Sequence, residues 1–410
     1  MAEDFQGSTQ ELPYDQEVIF YSKAKPDDRV ARLQAKIDSG EVKLAWDEKF
    51  GWLPALIEAL HVPKSSQMLV FSKTSLQRRL IAPRTPRSLF YNDDVYLGFI
   101  PGAPVMEVSA VDPKLGGVFY KLEQDKADRP KFQRDQDCLS CHGGPKTLGV
   151  PGHFVRSVVT DSTGELDSQG DLGNVTHCTP IADRWGGFYV TGTHGSQTHR
   201  GNLFGEKAFT NAANDPNHLG NLKPGDLSRF FDTSKYPGAG SDIVALMVLE
   251  HQVHMQNYIT HLNYETQLMM SMYGHIRYLK HQEDAFLRYL LFTEEAPLTE
   301  PVSGNPQFVA DFTARGTRDS RGRSLRDFDL STRLFKHPCS YLIYAEAFDS
   351  LPAVMRDHLL QRLYDILTGK EEDKQFAMKA GDRRAILEIL RDTKPNLPAY
   401  WKEDGRAAAL

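Results

Sequence analysis

The residues best suited to chemistry in this sequence are two cysteines and a histidine, within Cys138-Leu139-Ser140-Cys141-His142. Thiols three positions apart lie on one helical turn, and a histidine directly after the second thiol points its imidazole towards the same region. This spacing suits covalent attachment of one haem. Cys138 and Cys141 would form the thioethers, and His142 would bind the iron as its proximal metal ligand.

Two other chemistries fit part of this pattern. A zinc site could combine Cys138 and Cys141 with a distant pair such as His177 and Cys178. A C-x-x-C redox pair is a further alternative, although no thioredoxin-like βαβ pattern surrounds it. The histidine in the fifth position favours haem. Cys178 and Cys339 complete the set of four cysteines, and they can form a disulfide in an oxidising compartment or remain as buried thiols.

A haem held by His142 on one face leaves the opposite face of the iron to another group. His194 and His199 lie in "GTHGSQTHRGN", a glycine-rich loop that follows a predicted strand, and such a loop can bring an imidazole to a metal. We predict that His194, His199 or His254 acts as acid and base on bound peroxide, oxygen or a small oxidised substrate. Solvated histidines in a surface turn are the alternative. Cys178 is also a candidate axial thiolate, whereas His153 is so near in sequence that a supporting role is favoured.

The stretch "MVLEHQVHMQNYITHLNYE" predicts a helix with an unusual polar face. Glu250, His254, Asn257 and His261 are spaced to share that face. A carboxylate, two imidazoles and an amide can line a haem pocket or hold a second metal. A polar face that packs on loops or meets water is the alternative.

Arginines are concentrated in "RRLIAPRTPR", which runs from Arg78 to Arg87. Guanidinium groups bind carboxylates in a forked geometry, and haem carries two propionates. Arg84 and Arg87 are therefore predicted cofactor-binding residues, with a solvated surface cluster as the alternative.

The CLSCH motif resembles that of the c-type cytochromes. The combination of "DRWGGFYVTGTHGSQTHRGN" with "RRAILEILRDTKPNLPAYW" is similar to a group of large bacterial proteins with a single c-type haem motif. The resemblance implies one covalently attached haem c. The sequence departs from small cytochromes c, because no methionine lies between His142 and Met247 to serve as a second axial ligand.

Composition limits the possible partners. The chain has 410 residues, 40% hydrophobic and 25% charged, with a formal net charge of -6. This balance argues against binding to nucleic acid or to anionic membranes, and no apolar run reaches the roughly 20 residues of a membrane span. The start, "MAEDFQGSTQELPYD", has neither the basic nor the apolar segment of a signal peptide. Because covalent haem attachment takes place outside the cytoplasm, we expect a mature periplasmic or secreted protein.

Patterning predicts an α+β protein. Short apolar runs from Met68 to Glu123 indicate strands, and the strand-rich half ends in the haem motif. The C-terminal half is predicted to be mostly helical, beginning with a long helix capped at Ser241-Asp242. The predicted regions are a mixed, strand-rich region at 1–135, a haem-attachment and loop-rich region at 136–240, and a helical region at 241–410.

Together these features predict a periplasmic haem-c redox protein. It would be an oxidoreductase that acts on a small oxidant or substrate at the iron and exchanges electrons with a redox partner protein such as a cytochrome. The alternative is an electron-transfer cytochrome with two histidine ligands and no catalysis of its own. A zinc-stabilised binding protein without redox activity is a third class.

Overall fold

A computed structural model describes residues 13–402, with the backbone alone for residue 13 and residues 168–172. Strands dominate the first half and helices the second, so the chain is an α+β protein as predicted. The strands are β1 Met68–Val70, β2 Arg87–Tyr91, β3 Val95–Phe99, β4 Val105–Asp112, β5 Gly116–Glu123, β6 Gln133–Arg134, β7 Val155–Thr160, β8 Leu166–Val175 and β9 Phe188–Tyr189. The helices are α1 Arg29–Ser39, α2 Leu53–Ala59, α3 Leu139–His142, α4 Glu206–Asn214, α5 Ile243–Tyr273, α6 Lys280–Leu290, α7 Pro306–Ala314, α8 Glu346–Asp349, α9 Ala353–Thr368 and α10 Ala380–Thr393.

Seven strands form one antiparallel sheet in the order β6-β5-β4-β3-β2-β1-β9. Tight turns join its central strands. Asn92 closes the β2–β3 turn, because its Oδ1 accepts the N–H groups of Asp94 and Val95 at 3.0 and 2.9 Å. The predicted strands β1 to β5 are all present, and β7 and β8 form a separate two-stranded sheet.

The two faces of the large sheet pack against different partners. One face carries a continuous apolar surface and packs on α1 and α2. The Asp28 side chain caps α1 by accepting the N–H of Val30, and the apolar face of α1 is buried. The apolar side chains of this sheet face are Phe90, Val95, Leu97, Phe99, Met106, Val108, Ala110, Val118, Tyr120 and Leu122.

Helix α5 covers part of the opposite sheet face. Its 31 residues begin after Asp242, whose side chain accepts the N–H of Ala245, and end at Gly274 in the left-handed conformation. The sequence predicts a helix that runs to about Tyr278 or beyond, whereas Gly274 ends the helix about one turn before Tyr278. The hydroxyl of Tyr91 on β2 donates to the carbonyl of Ala245 at 2.7 Å, which ties the helix to the sheet.

Helices α6, α7, α8 and α9 contact α5, and α10 packs on α9. α9 ends at Gly369, which is in the left-handed conformation. α10 ends at Thr393, and Lys394 and Pro395 follow it. Residues 143–237 hold more regular structure than their composition indicates, since β8 and α4 lie there. Within residues 13–402, no helix has the length and apolar character needed to cross a bilayer.

Candidate functional site

The Cys-x-x-Cys-His residues form one short helical turn at the protein surface. Cys138 precedes α3, which contains Cys141 and His142. The N–H of His142 donates to the carbonyl of Cys138 at 2.9 Å, so the turn is closed by a helical hydrogen bond. Cys141 is exposed and Cys138 is half-buried. The two thiols and the imidazole are therefore carried by one ordered turn.

A backbone carbonyl fixes the protonation of the His142 ring. Nδ1 of His142 lies 2.9 Å from the carbonyl oxygen of Gly152. Because a carbonyl can only accept, Nδ1 carries the hydrogen, and Nε2 of the neutral ring has a free lone pair. Burial lowers the pKa of His142 and so favours this neutral form. Within the described chain, Nε2 has no hydrogen-bond partner and keeps some contact with solvent.

Helix α5 holds the segment that carries this carbonyl. The Asn257 side chain accepts the N–H of His153 at 3.2 Å and donates to the carbonyl of His153 at 2.7 Å. A side chain at position 152 would collide with the Asn257 amide, so only glycine fits beside it. The predicted polar face of α5 thus supports the loop that orients His142, with Asn257 as the contact.

The motif turn lies over the sheet face that α5 leaves partly open. The His142 ring packs on Phe119 and Phe154, with ring centroids 4.9 and 5.0 Å away. His153 lies behind it at 6.0 Å, and its Nε2 is 2.7 Å from the Ser109 hydroxyl. Tyr96, Ser109 and Phe119 are paired across β3, β4 and β5. One row of the sheet therefore forms the floor beneath His142.

The two arginines predicted to bind a cofactor differ in their surroundings. Arg87 on β2 forms an ion pair with Glu107 at 2.6 Å. Burial is the main cause that lowers the pKa of His142; the charge of Arg87 lowers this pKa as well, and the charge of Glu107 raises it. Arg84 is exposed and has no ion pair with any residue that the structure describes. Arg87 therefore borders the motif, whereas Arg84 lies in the loop that precedes β2.

Cys138 is held as a neutral thiol. Burial, together with the nearby carboxylates of Asp135 and Glu107, raises its pKa to about 12. The Asp135 carboxylate lies 3.7 Å from Sγ. A thiol with so high a pKa is a poor nucleophile, so the chemistry of a C-x-x-C redox pair is disfavoured.

The structure offers no zinc site at the motif. Among residues 13–402, no group of three His, Cys, Asp or Glu side chains comes close enough to hold a metal ion. Structural zinc requires four protein ligands, whereas a covalently attached haem needs one protein ligand on each face of its iron at most. Cys178 and Cys339 are both free thiols.

Comparison of the chain with protein-family models, with curated proteins and with solved structures found no match. The function must therefore be inferred from the residues and their geometry.

His194 and His199 lie together in a second group, beside a cavity of about 20 Å³. Their ring centroids are 4.7 Å apart. Nδ1 of His194 donates to the Gln197 carbonyl at 2.6 Å, so Nε2 carries its lone pair, while Nδ1 of His199 accepts the N–H of Gly201. Burial lowers the pKa of His199 to about 3. A volume this small holds one water molecule, which suits the buried nitrogens.

His254 lies in a third group on α5. Its ring packs against Tyr258 and Tyr289 at 4.9 and 4.8 Å, and burial lowers its pKa to about 4. Its neighbour His251 pairs with His177 through Nδ1 atoms 2.8 Å apart and with a serine hydroxyl at its other nitrogen. The three predicted catalytic histidines thus belong to two groups. Among the described residues, the aromatic rings that the His142 ring contacts are those of Phe119, His153 and Phe154.

An ion pair that was not predicted from the sequence lies at the centre of the third group. Arg184 and Glu250 form a salt bridge with side chains 3% and 0% exposed. Arg184 also donates to the carbonyls of His177 and Thr179, and Trp185 donates to Glu250 at 3.0 Å. The charge of Glu250 on a predicted helix that is otherwise uncharged around it could have indicated a buried partner.

A second acid in this region makes stability depend on pH. Burial raises the pKa of Glu295 to about 7 from its usual value of 4.5. The folded state therefore binds this proton more tightly than the unfolded chain, and the free energy of unfolding falls as pH rises from about 4.5 to about 7. Between pH 4.5 and 7, deprotonation of Glu295 should lower the free energy of unfolding of the wild type by an amount on the order of 1–3 kcal/mol, and Glu295→Gln should lack this decrease. Urea denaturation at several pH values measures it.

Glu294 is the matched control for this experiment, since it neighbours Glu295 but its side chain is 62% exposed. Glu294→Gln should leave the pH dependence of wild type almost unchanged. Equal slopes for wild type and Glu295→Gln would show that Glu295 does not cause the effect.

Proposed function

We propose that the chain carries one haem c, attached through Cys138 and Cys141, with His142 as an iron ligand. The observation that carries the proposal is the Nδ1 hydrogen bond from His142 to the Gly152 carbonyl. It leaves a neutral imidazole with its Nε2 lone pair free beside two thiols on the same turn. A hydrogen bond of this kind orients metal-binding histidines and fixes their tautomer.

The surroundings of His142 suit a flat, largely apolar group. Phe119 and Phe154 flank the ring. On the same sheet, Gly98 of β3 pairs with Glu107 of β4. Gly98 gives room to the Glu107 side chain, whose Cβ would lie 3.4 Å from a Cβ at position 98. Arg87, which pairs with Glu107, supplies a guanidinium at the margin for a carboxylate.

We propose that the protein is a periplasmic or secreted oxidoreductase acting on a small oxidant or substrate and exchanging electrons with a redox partner. When bound, haem supplies one-electron transfer and an iron site for a small molecule. His153 is the described imidazole that contacts the His142 ring, and Ser109 holds its Nε2. Because Nε2 of His153 is already bonded to Ser109, His153 is disfavoured as a second iron ligand. The sixth coordination position of the iron would then be free for an external molecule.

A pure electron-transfer role is the second candidate. Cys141 is exposed, so a group attached to it would have an edge at the protein surface. Electron exchange with another protein requires such an accessible edge and no substrate cavity.

The test is to mature the protein in a host with the c-haem assembly system and to record oxidised and reduced optical spectra. We expect a Soret band and haem that stays bound after acid extraction. Cys138→Ser combined with Cys141→Ser should lose the covalent haem, while Cys178→Ser, a half-buried cysteine outside the motif, should retain it. A spectrum that responds to cyanide or carbon monoxide supports the oxidoreductase, and an unresponsive low-spin spectrum supports the electron carrier.

Wild-type protein without a Soret band under these conditions would refute the haem proposal. Metal analysis of the same sample would then test for zinc.

A further inference from the structure

The loop between β1 and β2 presents a basic and apolar surface that is unusual for this chain. Leu76 is 60% exposed and Leu80 is 41% exposed. We call this surface the basic patch, and its members are Leu76, Arg78, Arg79, Leu80 and Arg84, all exposed. Its three arginines have no ion pair with any carboxylate in residues 13–402, although the whole chain has a net charge of -6.

Hydrogen bonds place the basic patch beside the motif turn. Ser75 donates to the Glu107 carboxylate, and Gln77 donates to the Val105 carbonyl at 3.1 Å. Glu107 lies in the sheet row next to Ser109, which contacts His153. The residues that carry the basic patch are thus fixed to the same sheet face that supports His142.

Resting on the proposed function, we propose that the basic patch is the docking surface for an acidic region of the redox partner protein. Arginine is enriched at protein interfaces, where its guanidinium can pair with acidic groups, and the two exposed leucines add apolar surface beside it. Unpaired arginines also attract an acidic partner over distance and increase its rate of association. The negative charge of the rest of the chain disfavours an anionic membrane as the occupant.

The binding test uses a fluorescent polyglutamate peptide as the acidic probe and fluorescence anisotropy as the readout. We expect Arg78→Glu with Arg79→Glu to weaken binding about tenfold at low salt, and salt near 0.1 M to reduce the difference by screening. Lys374→Glu with Lys379→Glu is the control, because these lysines are also exposed and the change in net charge is the same. Leu76→Ser with Leu80→Ser tests the apolar contribution.

The electron-transfer test uses two small oxidants of opposite charge. One electron passes from the reduced protein to ferricyanide, which becomes ferrocyanide, or to hexaammineruthenium(III), which becomes hexaammineruthenium(II). At low salt, the arginine variant should react about tenfold more slowly with ferricyanide and faster with the ruthenium complex. The lysine control should change either rate by less than about twofold.

Polyglutamate binding, vesicle binding and the electron-transfer rates together decide the proposal. Equal polyglutamate binding by the arginine and lysine variants would overturn the docking surface, and so would tighter binding of wild type to phosphatidylserine vesicles than to polyglutamate. Arginine-dependent polyglutamate binding supports the surface, and arginine-dependent rates support its redox role. Arginine-dependent binding by protein that shows no haem spectrum would retain the acidic docking surface and reject the proposed redox function.

Discussion

In the proposed haem-loaded form, we expect His142→Gly to remove the imidazole-ligated spectrum and imidazole added to the buffer to restore it. The reason is that Phe119 and Phe154 flank the ring, so its removal leaves a slot of imidazole shape. The Gly152 carbonyl at its end can accept the hydrogen bond of an added imidazole. Optical and electron paramagnetic resonance spectra, recorded with and without imidazole, measure the loss and the rescue.

His153→Gln is the control for this experiment. His153 is the neighbouring imidazole at 6.0 Å, and glutamine can keep a hydrogen bond to Ser109. Its spectrum should match that of wild type. Loss of the imidazole signature in His153→Gln, with an unchanged spectrum in His142→Gly, would identify His153 as the ligand instead.

Arg184→Met should destabilise the fold by about 3–5 kcal/mol. Arg184 neutralises the fully buried Glu250, and methionine keeps an apolar stem but leaves that carboxylate without its charge partner. Burial already raises the pKa of Glu250 to about 7, so the variant will take up a proton near neutral pH. The free energy of unfolding, measured by urea denaturation, reports the effect.

Two further variants identify the cause of that loss. Lys126→Met breaks the exposed pair with Glu48, whose atoms are 3.5 Å apart, and should cost less than about 1 kcal/mol. Arg184→Met combined with Glu250→Gln should recover much of the stability, because glutamine needs no counter-charge and can still accept from Trp185. No recovery would show that the bonds from Arg184 to the carbonyls of His177 and Thr179 matter more than the charge.

Local patterns were enough to predict much of the fold. Val30, Leu33 and Ile37 recur in the sequence at the spacing of one helix face, and all three are buried in α1. β1 to β5 follow from short apolar runs between turn residues. β8 was missed because "LDSQGDLGNV" is polar and glycine-rich. It forms by pairing with β7, and pairing partners are not visible in a local pattern.

In the site too, some residues could be predicted from local spacing and others depend on tertiary contacts. The sequence indicated the three motif residues, because their chemistry depends on local spacing. It placed Asn257 on a polar helix face but could not show that this side chain binds the backbone of His153, 104 positions away. The surroundings of His194, His199 and His254 likewise depend on tertiary contacts, and their catalytic roles stay predictions.

The attachment of the His142 loop to α5 has a consequence for the order of events during synthesis. The motif leaves the ribosome roughly a hundred residues before Asn257, and β9, which completes one edge of the sheet, follows the motif as well. The cysteines are therefore synthesised on a chain that cannot yet form the contacts that orient His142. Modification enzymes would meet an accessible, flexible segment, and the later arrival of the long helix would lock the imidazole in place. Slowing export of the chain between these two segments should thus lengthen the period in which the thiols can react outside the cytoplasm.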